Sequence, residues 1–214
     1  MKQISRTFWT IALLTLLSLV GWNLIASHGV QAQHATPPAT VAVSSTLDQN
    51  ISFLSQPRLS PAFIDKVLSA YHSPAAGLGQ QIYNLGQQYG VNSDLLLGIY
   101  GHESLFGTTG EARKSRSVGN LRCLDSSYAP YHPSCADGYA QFPTWFDGIG
   151  AFYRLLKVGY LNGVVTTPIV GHRCTTLAQV IPVWAPVSDG NDPNAYINDV
   201  LSFLHAWDSG RVKP

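Results

Sequence analysis

Glutamate is almost missing from this chain: of its 12 acidic residues, only Glu103 and Glu111 are glutamates. Charge of either sign is sparse, at 12% of residues, and the formal net charge is +1. That balance lacks the basic footprint of a nucleic-acid binder. Cysteine is scarce too, with three in all. Neither they nor the histidines show tight zinc spacing such as Cys-x2-Cys with a matching second pair, so no metal and no cofactor are implied. No internal repeat is present. Aromatic side chains, by contrast, make up 11% of the chain. With so little charge, they suit a surface that binds a largely uncharged polymer such as a glycan.

The first thirty or so residues read as an address and not as part of the fold. Lys2 and Arg6 form a basic start, Phe8 to Val20 carries no charge, and Val30-Gln31-Ala32 offers small residues to a signal peptidase. The competing reading is an uncleaved anchor from Phe8 to Ala26, near the lower length limit for a bilayer span and holding Asn23. Cleavage after Ala32 is the preferred reading. Either way the remainder is exported, and the membrane is met only through this segment if it stays attached. Residues 33 to about 58 are rich in Ala, Thr, Ser, Pro and Gln and bury too little to offset their ordering entropy, so they read as a flexible linker, with local docking of Ile51, Phe53 and Leu54 on the domain left open. Residues 59–214 suit one domain of ordinary size.

Within that domain the apolar spacing is helical. Ser60-Pro61 is an N-cap followed by Pro at the first helical position, ahead of Phe63, Ile64, Val67, Leu68 and Tyr71. Ser73-Pro74 repeats the signal before Leu78, Ile82, Leu85 and Tyr89, with Gly90 as the stop. Thr144 caps a helix running to Tyr160 whose apolar set includes Phe146, Ile149 and Phe152. Thr175 or Thr176 opens a shorter helix ended by Pro182 or Pro186. Asp192-Pro193 starts the last, with Tyr196, Ile197, Val200, Leu201, Leu204 and Trp207 inward. From Thr108 to Gln141 the pattern dissolves into Gly, Ser, Pro and Tyr. Long irregular stretches inside compact domains are usually functional, and a small lobe with a short β-hairpin is expected there.

The chain is organised around Asp94-Leu-Leu-Leu-Gly-Ile-Tyr-Gly-His-Glu-Ser-Leu-Phe-Gly-Thr108. Asn92 and Ser93 offer cap oxygens, and Leu95, Leu96, Ile99 and Tyr100 form an apolar stripe. Helical order should fail near Gly107, which leaves Glu103 in the last turn beside a cleft. Desolvation at the end of an apolar helix disfavours a carboxyl's charged form, which suits a general acid working near neutral pH. His102 is expected on a different helix face, as a structural histidine.

These residues carry a resemblance. Tyr89 to Gly107 resembles the catalytic segment of bacterial peptidoglycan-cleaving enzymes of the lysozyme superfamily, in which an apolar helix ends in Glu-Ser followed shortly by Gly. Ser117-Val-Gly-Asn-Leu-Arg-Cys123 resembles the Gly-Asn-Leu/Ile segment of the endo-β-N-acetylglucosaminidase branch. Tyr139 to Phe152 is similar to that branch's next block, an aromatic strand entering a helix, and Trp184 to Ile197 to its closing one. The resemblance implies a mainly α, lysozyme-like α+β fold, with a helical lobe and a small irregular or β-hairpin lobe flanking a glycan cleft. It further implies a monomeric enzyme acting on β-1,4 bonds of peptidoglycan glycan strands. A lytic transglycosylase, a muramidase and a non-catalytic wall-binding module remain the alternatives.

By the resemblance, Glu103 is the acid that protonates the leaving oxygen. That branch draws its second carboxylate from the small lobe, often as a Glu. Here the lobe offers Asp125 and Asp137, with Glu111 in reserve. An Asp is shorter, so assistance by the substrate's own 2-acetamido group fits better, with Tyr196 orienting it. Ser104, Asn120, Tyr139, Phe142 and Trp145 are the candidate glycan contacts, each with a structural reading beside it. One disulfide is expected from three exported cysteines. Cys123–Cys135 would staple the small lobe, contributing about 3 kcal/mol, and the rival pairing uses Cys174.

Overall fold

A computed structural model describes residues 48–123, 130–163 and 172–214. The signal or anchor segment, most of the expected linker and Asp125 lie outside those residues. Helix α1 (Pro61–Ala70) begins as its sequence demands, with the Ser60 hydroxyl accepting from Phe63 N–H and Pro61 in the first turn. Helix α2 (Gly79–Tyr89) begins later than Ser73-Pro74 suggests. The Ser73 hydroxyl accepts from Ala75 N–H at 3.1 Å while donating to Phe106 O at 2.7 Å, but only a turn follows it. Gly77 then takes a left-handed φ of 92°. Asp65 on α1 accepts from the N–H groups of Gly77 and Gly79 at 3.0 and 2.8 Å, so a neighbouring helix satisfies the start of α2. Gly90, left-handed, ends it.

Helix α3 (Ser93–Ser104) is the centre of the core. Asn92 caps it by accepting from Asp94 N–H at 2.8 Å, and every residue from Ser93 to Gly101 is buried. The stripe expected from Leu95, Leu96, Ile99 and Tyr100 is therefore only part of its buried surface, as for a helix enclosed on all sides. Its glycines allow helix α7 (Pro193–Asp208) to close on it. A Cβ at Gly98 would lie 3.0 Å from Val200, and one at Gly101 only 2.8 Å from Phe203 and Phe106. Tyr196, Ile197, Val200, Leu201, Leu204 and Trp207 all face inward on α7, as their spacing predicts.

The described part of the expected linker, residues 48–58, packs on the domain. Phe53 is fully buried; its N–H donates to Thr175 O at 2.8 Å, and its carbonyl accepts from Asn92 N–H at 2.7 Å. Arg58 N–H donates to the buried Asp94 carboxylate at 2.7 Å. Backbone bonds from Leu177 N–H to Ile51 O and from Ala178 N–H to Gln49 O add to the hold on this segment.

The irregular stretch contains a four-residue helix that the sequence reading lacked, α4 (Ala112–Ser115), and the expected hairpin. Strands β1 (Ser134–Ala136) and β2 (Tyr139–Gln141) are antiparallel, with Cys135 opposite Ala140. Cys123 is bonded to Cys135, and Cys174 is a buried free thiol. Helix α5 (Trp145–Leu155), capped by Thr144, passes into a π-helical run over Leu156–Leu161. Phe146, expected inward, is exposed on α5. Helix α6 (Leu177–Trp184) contains Pro182 and ends two residues beyond it. The class is mainly α with one small hairpin. No helix among the described residues is long and apolar enough to cross a membrane.

Candidate active site

Glu103 stands in the last turn of α3 because the helix is stopped abruptly behind it. Leu105, Phe106 and Gly107 are all left-handed, with φ of 46°, 57° and 82°. Two consecutive non-glycine residues in that region are strained, and burial of Phe106 against Tyr71, Tyr100 and Phe203 holds them there. Gly107 is required twice over, since a Cβ there would run into the Tyr100 hydroxyl and the Trp145 ring. Ser104 serves this turn. Its buried hydroxyl accepts from Gly107 N–H at 2.9 Å, so the structural reading of Ser104 replaces that of a glycan contact.

A cleft of about 460 Å³ opens at Glu103, lined also by His102, Asn120, Arg122, Tyr139, Tyr160, Trp184, Asp189, Asn191 and Tyr196. Three donors from three separate segments converge on the carboxyl group. Trp184 Nε1–H, at the end of α6, donates to Oε1 at 2.8 Å. The Tyr196 hydroxyl, from the first turns of α7, donates to the same oxygen at 2.7 Å. Asn120 Nδ2 donates to Oε2 at 2.8 Å. The Gly119-Asn120 pair has a physical reason at each position. A Cβ at Gly119 would stand 2.7 Å from the Trp184 ring and 3.0 Å from Phe152. Asn120 takes a left-handed φ of 49°, which asparagine tolerates better than most residues.

The donors are themselves held. Trp184 packs between Phe152 and Tyr160, with ring centroids 5.1 and 5.8 Å away. Tyr160 comes from the π-helical run, a feature common at functional sites, and burial pushes its phenol up to about 12. The Tyr196 phenol is raised well above its ordinary value, first by burial and then by the negative charge of Glu103. It therefore stays protonated, and a donor, at neutral pH. The His102 ring packs on Tyr196, tilted by 36° with centroids 3.7 Å apart, and its Nδ1 lies 3.0 Å from Asp199 Oδ2 on α7. His102 thus borders the cleft beside Glu103, contrary to the expectation of a separate face.

Of the other expected contacts, Tyr139 lines the cleft, with the Arg122 guanidinium 4.5 Å above its ring. Phe142 does not: at 2% exposure it is core, because the strand turns its side chain under α5. Trp145 packs on Tyr100, with centroids 6.0 Å apart, and lies outside the cleft lining. Asp137 is at the exposed hairpin turn with a φ of 53°, away from the cleft lining. Glu111 precedes α4 without a side-chain cap bond and pairs with Lys114 Nζ at 3.8 Å. Asp189 is the carboxylate that joins Glu103 in lining the cleft among the described residues.

Sequence reasoning missed Trp184, Tyr160, Asp189 and Asn191. Trp184 had a signal, since it opens the closing block of the resemblance; Tyr160 had none, because helical periodicity does not announce a π-helical run. Among the described residues, no three His, Cys, Asp or Glu side chains group to hold a metal ion. No family model matches the chain, and no curated protein matches it.

Proposed function

We propose that this protein is an exported peptidoglycan hydrolase that cleaves β-1,4 bonds of the N-acetylglucosamine/N-acetylmuramic acid backbone, with Glu103 as general acid. The observation that carries this reading is the Glu103 carboxyl group itself. It sits in a cleft with aromatic walls, and three side chains from distant segments hold its orientation. Aligned donors on a cleft carboxyl are the preorganisation a proton-transfer group needs. A helical body with a stapled hairpin beside the cleft supports the lysozyme-like reading of the fold.

Asp137 does not line the cleft, which favours substrate assistance over a hairpin carboxylate. In that route the 2-acetamido carbonyl oxygen bonds to the anomeric carbon as the glycosidic bond breaks. The bonding pair leaves with the departing oxygen, which takes the proton of Glu103. Water then opens the cyclic intermediate and returns a proton to the carboxylate. Tyr196 acts here through Glu103, since its hydroxyl is committed to Oε1.

The test is digestion of purified peptidoglycan by the wild type beside Glu103→Gln, with products reduced by borohydride and weighed. Reduced N-acetylglucosamine ends that vanish in the variant are expected. Reduced muramic acid ends would make the protein a muramidase, and anhydro-muramic ends a lytic transglycosylase. Binding without products from either protein would leave a wall-binding module and overturn the enzyme reading.

A further inference from the structure

The arrangement of donors decides which oxygen of Glu103 can carry a proton. An indole N–H only donates, so Trp184 holds Oε1 as an acceptor at 2.8 Å, and the Tyr196 hydroxyl donates to that same oxygen. A proton on Oε1 would face two donor hydrogens. Oε2 meets only the Asn120 amide, Nδ2 at 2.8 Å, with a weaker contact from Nδ2 to Glu103 O at 3.4 Å. The acid's proton therefore belongs on Oε2, where the Nδ2 hydrogens would oppose it.

Asn120 can resolve that conflict, and Trp184 cannot. An amide carries a donor and an acceptor on one planar group, exchanged by a half-turn of a soft torsion. Its Oδ1 is buried and makes no hydrogen bond among the described residues. In the present orientation, Nδ2 is satisfied at Glu103 and Oδ1 is not. In the reversed one, Oδ1 would accept from the acid and Nδ2 would lose its acceptors. Each charge state of Glu103 thus satisfies a different amide atom and selects a different orientation. The backbone need not follow, because Asn120 N–H to Ser117 O and Leu121 N–H to the Ser117 hydroxyl hold it.

We infer that Asn120 is a positioning residue whose side-chain amide reverses with the charge of Glu103, Nδ2 holding the carboxylate and Oδ1 holding the proton on Oε2. When the glycosidic oxygen takes that proton, the O–H pair stays on the carboxylate and the amide turns back to meet it. The inference rests on Glu103 as the acid. Among the described residues, the other titratable groups around the cleft are His102, Arg122, Tyr139, Tyr160, Asp189 and Tyr196, and the Asn120 side chain hydrogen-bonds to none of these.

The test follows the side-chain amide of Asn120 by NMR in the isotope-labelled full chain during an acid titration. The Nδ2 proton contacts with the Glu103 side chain should weaken at the same midpoint as the Glu103 carboxyl carbon titrates. In Glu103→Gln, whose amide can place N–H at the Oε2 position, Asn120 should be reversed at every pH. Asn120→Gly, which the left-handed φ accepts, should lower kcat about tenfold with little change in KM, the loss of one charged hydrogen bond. Nδ2 contacts that persist unchanged through the midpoint would overturn the inference. A wild type without products overturns the acid role instead, and the NMR titration tells the two failures apart.

Discussion

Trp184 and Glu103, 81 residues apart in sequence, meet through a single 2.8 Å hydrogen bond at the floor of the cleft. The indole is wedged between Phe152 and Tyr160, so its N–H is aimed by packing and not by its own rotamer preference. Trp184→Phe keeps the wedge and deletes only the donor. A hydrogen bond to a charged group is worth about 1.5–3 kcal/mol, so kcat on peptidoglycan should fall roughly tenfold or more. The urea midpoint should fall by no more than the same amount, so the variant stays folded while it loses activity. A kcat equal to that of the wild type would contradict this assignment.

Gly119→Ala tests the same wedge from below. The added methyl would lie 2.7 Å from the Trp184 ring and 3.0 Å from Phe152. Overpacking of this kind costs about 1–3 kcal/mol. Because the ring that must give way carries the donor, Trp184 fluorescence and kcat should change together.

Phe53→Ala measures how much the N-terminal segment belongs to the domain. Phe53 is fully buried and bridges Thr175 to Asn92 through its backbone. Removal of a core phenylalanine costs about 3–5 kcal/mol. Denaturant titration should show that loss, whereas a loose linker would show none.

Asp94 predicts a pH dependence of stability. Burial is the largest influence on its carboxyl and raises it above its ordinary 3.8, against the lowering effect of the Arg58 and Leu59 N–H groups. A raised folded-state value means the folded chain holds the proton more tightly than the unfolded chain does. The stabilising contribution is thus full below 3.8 and is lost as pH rises through the raised value. Asp94→Asn, with its carbonyl turned to Arg58 N–H, has no such loss. Between about pH 4 and pH 7, the urea midpoint of the wild type should fall relative to that variant.

Local signals in the sequence were reliable where a residue acts on its own neighbours. Ser60, Asn92, Thr144 and Asp192 cap the helices they precede, and Gly90 stops α2. The Cys123–Cys135 staple was one of two open pairings and is the one formed. Failures came where a distant group changed a local preference. Ser73 opened only a turn, by accepting from Ala75 N–H, and Asp65 on another helix satisfied the start of α2. Phe142, in an alternating aromatic run, went into the core while Tyr139 went to the cleft. Alternation reports that two faces differ and not which face is wet.

The sequence by itself determined the helical class, the position of Glu103 in a final helical turn, and the glycines and asparagine that let loops pass close by. These follow from backbone preferences and apolar periodicity, which act within a few residues. Only the tertiary structure decided what surrounds that carboxyl. Trp184, Tyr196 and Asn120 reach it from three segments, and His102 and Tyr160 hold two of those donors in place. Hydrogen-bond partners across such separations are set by how whole helices pack, and helix packing is a sum over many side chains that no local motif records.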